Sequence, residues 1–286
     1  MYDDSDLVLV LNCGSSSIKF AVFDAAAEPL PRTPLWNGKV QGIGGPTPDF
    51  GESGVAPFAV ELDGGHPHRA ALQLIRERVV ARLDGRRVVA VAHRVVHGGA
   101  KYSAPVRVDA AVLADLTSYI PLAPLHQPFA LEAMEILLHE RPDIAQVACF
   151  DTAFHKTIPA LHHVLPLPER LRALGYRRYG FHGLSFQSIA MQLAATRPDL
   201  RKVVVAHLGG GSSLCALHDG KSIATTMGLT ALDGVPMTTR SGSLDPGVVL
   251  DLVRRSDVET IEAMLYGKSG LAALSNTSGD LRAMRA

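Results

Sequence analysis

Cysteine is scarce in this sequence. Cys13, Cys149 and Cys215 are the three among 286 residues, odd in number and far apart. Such a set supplies neither a disulfide framework nor a zinc knuckle. An excess of charge is also missing, because 28 Lys+Arg face 28 Asp+Glu. Zero net charge excludes broad electrostatic attraction to nucleic acid or an anionic membrane, leaving room only for a local basic cleft. No apolar run approaches the ~18 residues of a membrane-spanning helix. Asp3, Asp4 and Asp6 stand where a secretory leader would carry basic residues. No G-x-x-x-x-G-K-[ST] loop and no G-x-S-x-G elbow occurs. The pairs His66/His68 and His162/His163 come without further ligands at a zinc-site spacing. What is present is a globular composition, 47% hydrophobic, long enough for roughly two domains at about 150 residues each. The expectation is a soluble cytoplasmic enzyme with no membrane and no nucleic-acid partner.

Short apolar runs and amphipathic stretches alternate along the chain. Residues 7–11 and 20–23 read as strands around the polar turn Asn12-Cys13-Gly14-Ser15-Ser16-Ser17-Ile18-Lys19. The pattern returns at 203–206 and 214–217, around His207-Leu208-Gly209-Gly210-Gly211-Ser212-Ser213. Two related lobes, or two unrelated hairpins, would each give this recurrence. The spacing predicts helices over 68–83, 109–118, 128–139, 184–195 and 246–253, and strands over 88–92 and 145–150. Residues 31–68, rich in Pro and Gly, are expected to include irregular edge structure. Strands interleaved with helices give an α/β class. A boundary is expected just after the strand that ends at Phe150, dividing the chain into 1–153 and 154–286.

Polar residues gather where strands end. Arg94 follows 88–92, Asp151 follows 145–150 and His207 follows 203–206. In α/β sheets ligands bind beyond strand ends, so three such placements favour a shared cleft over three separate loop groups. The Gly/Ser turns suit phosphate: glycine lets the backbone approach, amides and hydroxyls donate, and Lys19 adds a point charge. An ordinary Gly/Ser hairpin has the same composition.

The first of these turns resembles the opening motif of the acetate kinase family. The likeness continues, in order, through His93-Arg94-Val95-Val96-His97-Gly98-Gly99, Pro121-Leu122-Ala123-Pro124-Leu125-His126-Gln127-Pro128 and Phe150-Asp151-Thr152-Ala153-Phe154-His155. Arg178-Tyr179-Gly180-Phe181-His182-Gly183, the second Gly turn and Thr238-Thr239-Arg240-Ser241-Gly242-Ser243-Leu244-Asp245-Pro246 complete it. The resemblance implies duplicated ribonuclease-H-like lobes of the actin-like ATPase kind, with an interlobe cleft and the second lobe incomplete. It implies reversible, Mg²⁺-dependent transfer of the ATP γ-phosphoryl group to acetate in a cytoplasmic homodimer, with Mn²⁺ as an alternative cation. Propionate or butyrate is the alternative acceptor, and a noncatalytic nucleotide- or acyl-binding remnant is the alternative role.

Residue by residue, the resemblance places Arg94, Asp151, His182 and Arg240 in catalysis. It assigns Arg94, Val96, Leu125 and Phe181 to the carboxylate substrate and Asn12 to the metal. Lys19, His207, Leu208, Gly209, Gly210, Gly211, Asp280, Leu281 and Arg282 fall to the nucleotide. In-line transfer follows from the chemistry, because phosphoryl transfer needs positioning and electrostatic stabilisation more than covalent protein steps. The family labels Asp151 an acid/base residue. Acetate, as acidic as a Glu side chain with a pKa of about 4.3, is already ionised at neutral pH. An orienting role therefore suits Asp151 better. The chain departs from the common pattern at Gly210, where Asn is usual, and at Ala231, Thr239, Phe186 and Ser243. The chain ends at Ala286, ahead of the family's later adenosine-binding loop, magnesium-associated Glu and final helix, so a damaged nucleotide site is expected.

Overall fold

Burial alternates along the first strand, and that period decides which way its polar end faces. In β1 (Asp6–Cys13), Leu7, Leu9, Leu11 and Cys13 are buried. Asn12 lies on the opposite face. β2 (Ser17–Asp24) buries Ile18, Phe20 and Val22 and leaves Lys19 exposed. Residues 6–29, 31–280 and 284 are described by the computed structural model. β3 (Trp36–Gln41), β4 (Asp49–Glu52) and β5 (Val55–Ala59) follow, then α1 (Pro67–Ala81) and β6 (Arg87–Val95). After these come β7 (Val106–Arg107), α2 (Ala110–Ser118), α3 (Gln127–Glu140) and β8 (Ala145–Phe150). The remaining elements are α4 (Ala160–His163), α5 (Glu169–Arg172), α6 (Gly183–Thr196), β9 (Lys202–His207), β10 (Ser213–His218) and β11 (Lys221–Thr225), then α7 (Pro246–Arg255), α8 (Val258–Gly267) and α9 (Gly270–Ser275). Among the described residues no helix is long and apolar enough to cross a membrane.

The chain divides into two units, residues 1–98 with 104–150, and 99–103 with 151–286. The division expected from sequence ran at 153/154. Residues 151–153 group instead with the second unit, where the Asp151 carbonyl accepts the Gly183 N–H at 2.8 Å.

The first unit holds an eight-stranded sheet in the order β5-β4-β3-β2-β1-β6-β8-β7. β1, β2 and β3 are antiparallel, while β6 runs parallel to β1 and β8 parallel to β6. α1 lays Ala71, Ile75 and Val79 on the core at helical spacing, beside Leu9, Leu11 and Val91 of the sheet and Ala133 of α3. Residues 31–68, expected to include irregular edge structure, hold three ordered strands that form one edge of the sheet. An aromatic cluster organises them: Phe20 meets Trp36 edge-on at 5.2 Å and stacks with Phe50 at 6.1 Å. Gly38 is a packing residue here, since a Cβ on it would fall 2.7 Å from both the Phe20 ring and the Gly51 carbonyl.

β6 also buries His93, whose Nε2 meets Gln146 Oε1 at 2.8 Å. Burial pushes its pKa down to about 4. A depressed histidine is neutral in both states above the unfolded pKa of about 6.5. Below that value the unfolded chain binds the extra proton, so stability falls as pH drops from about 6.5 toward 4. His93→Gln removes this contribution. Urea unfolding should show the parent losing on the order of 3 kcal/mol more than the variant across that window. Parallel pH profiles for the two proteins would count against it.

In the second unit, β9, β10 and β11 form an antiparallel sheet in the order β11-β10-β9. This is the β3-β2-β1 arrangement of the first unit repeated, so the recurrence of strand, Gly/Ser turn and strand reflects related geometry. β11 carries a signal unused above: Asp219-Gly220, both at positive φ, is a hairpin turn. α8 is likewise opened by Asp257, whose carboxylate accepts the Thr260 N–H at 2.7 Å.

Candidate active site

In the first unit, strand period and sheet order bring three of the expected residues onto one face. Asn12 and Lys19 are register partners across β1 and β2. Arg94, on β6 between buried His93 and Val95, donates from Nη1 to Asn12 Oδ1 at 3.0 Å. The turn between β1 and β2 is tied twice, by the Gly14 N–H to the Ser17 carbonyl at 2.9 Å and by His68 Nε2 to the Gly14 carbonyl at 3.1 Å. His68, one of the histidine pairs set aside for metal binding, stacks on Phe129 at 4.4 Å and holds this turn from α1. Val96 is buried beyond the end of β6, whereas Leu125 is exposed. Buried Gln127 clamps the segment after Val96, accepting the His97 N–H at 3.1 Å and donating to the His97 carbonyl at 3.0 Å.

In the second unit, buried Asp151 follows β8, and its carbonyl receives the first amide of α6. His182 precedes that helix with φ +59°. This left-handed conformation costs a non-glycine residue about 1–2 kcal/mol, which the surrounding contacts must offset. His182 Nδ1 lies 2.8 Å from Ser213 Oγ, and His207 Nδ1 lies 2.9 Å from Ser185 Oγ. The two imidazoles stack at 4.0 Å with planes 20° apart. With Nδ1 engaged, His182 presents Nε2 toward Gly211. A Cβ on Gly211 would sit 3.3 Å from that nitrogen and 3.4 Å from Arg240 Nη1. His182, His207, Gly211 and Arg240 are thus brought together, although 58 residues separate His182 from Arg240.

Arg240 is held at both ends. Its Nη1 donates to the Ala231 carbonyl at 3.1 Å. Its backbone loop is pinned by α8 and α9, through Leu271 N–H to Met237 O, Ser269 N–H to Thr239 O and Ser241 N–H to Leu265 O, all within 3.0 Å. Leu208 is exposed, and Gly209 and Gly210 form the open part of the turn, with the Gly210 carbonyl accepting the Thr238 N–H at 3.3 Å. Phe181 is buried beside His182. Asp280 is half-buried and its carbonyl accepts the Met284 N–H. Leu281 and Arg282 lie outside the described residues.

The metal role expected of Asn12 fits poorly. Its amide oxygen already accepts from the Arg94 guanidinium, whose positive charge opposes a cation on the same oxygen. Among the described residues no group of three or more His, Cys, Asp or Glu side chains could hold a metal ion. Mg²⁺ is commonly bound through one or two carboxylates together with substrate phosphates and water. These side chains do not by themselves make a protein-held Mg²⁺ site.

The sequence profile of the Acetokinase family matches residues 7–286. The chain belongs to that family. It is 44% identical over 294 aligned positions to an acetate kinase of Rhodopseudomonas palustris strain TIE-1, covering 99% of this chain and 73% of the relative. Among solved structures it is similar to a propionate kinase from Francisella tularensis at 35% identity and TM-score 0.87, over 97% of this chain and 72% of that one. It is similar also to an acetate kinase from Porphyromonas gingivalis at 34% identity and TM-score 0.80, over 97% and 71%. The fold is therefore that of the actin-like ATPases, and the enzyme class is a phosphotransferase with a carboxyl acceptor.

The departures of this chain from the common acetokinase pattern have built partners. Thr239 Oγ1 donates to the Tyr266 carbonyl at 2.9 Å, and Ser243 Oγ to Asp233 Oδ1 at 2.6 Å. Phe186 packs edge-on against His155 at 5.8 Å and His207 at 6.4 Å. Gly210 differs, because a Cβ there would meet nothing within 4 Å. Gly210→Asn should leave the melting temperature unchanged. One added hydrogen bond, worth about 0.5–1.5 kcal/mol, should lower KM for ATP by roughly 2- to 10-fold. An unchanged KM would show that this position does not face the nucleotide.

Proposed function

We propose that this chain transfers the γ-phosphoryl group of ATP directly, in line, to the carboxylate of acetate, reversibly yielding ADP and acetyl phosphate. The observation that carries the reading is the convergence of His182 Nε2 and Arg240 Nη1 on Gly211. An imidazole and a guanidinium aimed at one glycine form a donor set suited to the equatorial oxygens of a phosphoryl group in flight. Gly211 lets a phosphate approach the backbone. His207, stacked on His182 and fixed through Ser185, lines the same turn. Arg94 supplies the planar fork that recognises a carboxylate, and Asn12 orients it. Lys19 offers a point charge to phosphate oxygens. The resemblance assigns Val96 and Phe181 to the acid's methyl group.

Mg²⁺ is the cation this reading assigns, and it would be held chiefly by the nucleotide's phosphates. The family resemblance also supports a cytoplasmic homodimer. Asp151, buried and anchoring α6 through its carbonyl, is assigned the orienting role, since an ionised acetate needs no base. Propionate is the second reading, favoured by the small Ala231 beside Arg240. An added methylene is worth only about 1–3 kcal/mol, so acetate and propionate should both turn over, with acetate faster.

A coupled ADP-release assay with acetate, propionate and butyrate, with and without Mg²⁺, tests the activity. No carboxylate-dependent turnover by the folded chain would leave the noncatalytic binding role standing. In the same assay Asp151→Asn should lower kcat on the order of 100-fold with an unshifted pH profile. Loss of one limb of that profile would identify a proton-transfer role instead.

A further inference from the structure

His155 has no part in the mechanism above, yet it is wholly buried with both ring nitrogens occupied. It sits in the 3-10 turn Ala153–Thr157, just past Asp151. Its Nε2 lies 2.9 Å from the carbonyl of Phe181, the residue before His182. Its Nδ1 lies 2.9 Å from Ser222 Oγ on β11. A carbonyl can only accept, so Nε2 carries the proton. Burial lowers the pKa of the ring, chiefly by desolvation, partly opposed by the Phe181 carbonyl and the Asp151 charge; His163 adds a smaller lowering. The ring is therefore neutral, Nδ1 accepts, and the Ser222 hydroxyl donates to it. Cys215 Sγ lies 3.3 Å from that hydroxyl oxygen and also donates to the Ala216 carbonyl at 3.7 Å. The result is a directed chain of donors from Ser222 through His155 to the Phe181 carbonyl.

The backbone at the receiving end is shaped around this ring. Gly180 has φ +78°, and a Cβ on it would lie 2.5 Å from the Thr225 methyl and 2.7 Å from the His155 ring. Two residues later His182 adopts its left-handed conformation, with no side-chain cap on α6. A peptide whose carbonyl is fixed cannot rotate, so the direction in which His182 leaves the chain is held by Phe181 O.

We infer that His155 is a positioning residue for the phosphoryl-transfer site: its Nε2–H holds the Phe181 carbonyl and so aims His182 at Gly211. The inference rests on the role proposed for His182, but the conformation it describes is measurable without turnover.

The test compares His155→Gln, whose amide N–H reaches as far as Nε2–H, with His155→Leu, which fills the space and donates nothing. Nitrogen-detected NMR of the imidazoles, without substrate, should show His155 as the Nε2–H tautomer in the parent. The His182 ring resonances should keep their parent positions in the Gln variant and move in the Leu variant. In the assay, His155→Leu should lose on the order of 10- to 100-fold in kcat, with KM for the carboxylate within about 2-fold. His155→Gln should return to within about 3-fold of the parent. Equal kcat in the two variants, or His182 resonances unmoved by Leu, would overturn the inference. If the parent shows no turnover while the resonances behave as described, the activity reading falls and the positioning stands.

Discussion

Arg240→Lys is expected to lower kcat/KM on the order of 1,000-fold while leaving the melting temperature within about 2 °C, because a guanidinium stabilising a transferring phosphoryl group is worth roughly 10³–10⁵ in rate. The substitution keeps the positive charge and removes the fork. In the parent, Nη1 is braced on the Ala231 carbonyl at 3.1 Å and borders Gly211 together with His182 Nε2. Lysine has no planar pair of donors to divide between a carbonyl and a phosphoryl oxygen. The backbone on both sides is held by main-chain bonds from α8 and α9, so the loop should survive the change. Steady-state kinetics with a melting curve on each protein checks this. Activity within about 5-fold of the parent would show that Arg240 supplies only bulk charge.

Gly183→Ala is the second large effect, and it acts through the fold. The Gly183 amide donates to the Asp151 carbonyl at 2.8 Å, so the backbones touch. A Cβ here would overlap that carbonyl and lie 2.9 Å from the Phe154 Cβ. Neither neighbour is the end of a flexible side chain, and overpacking of this kind costs about 1–3 kcal/mol or more. The melting temperature should fall by roughly 5–10 °C. Activity should be lost beyond what the reduced stability explains, because displaced α6 carries His182 with it. A melting temperature within 1 °C of the parent would contradict the contact.

The two expectations differ in how far the sequence announces them. In β1 and β6 the unbroken apolar runs 7–11 and 88–92 leave the faces of Asn12 and Arg94 to the folded sheet, whereas Lys19 between Ile18 and Phe20 in β2 could be read from the alternation itself. Pro246 after Asp245 marks the start of α7 in the same way, with Asp245 accepting the Gly247 N–H at 2.7 Å. β11 and α8 had usable signals in Asp219-Gly220 and Asp257. The strands of 31–68 had none, because Gly38 makes room for the Phe20 ring of the Phe20–Trp36–Phe50 cluster and only the folded sheet shows it. Nor did a local pattern connect His155 with Phe181 and Ser222, which lie 26 and 67 residues away.

By itself the sequence determined the α/β class, the repeated strand–turn–strand unit, the ordered motifs of a carboxylate phosphotransferase and the residue types its chemistry needs. Periodicity and motif spacing are local properties, carried by neighbours along the chain. Only the tertiary structure decided that His182 stacks on His207, that Arg240 leans on Ala231 and that Asn12 answers to Arg94. It also placed a buried imidazole within hydrogen-bond distance of the peptide before His182. Those facts depend on distances between residues remote in sequence, set by the packing of sheets and helices within each unit.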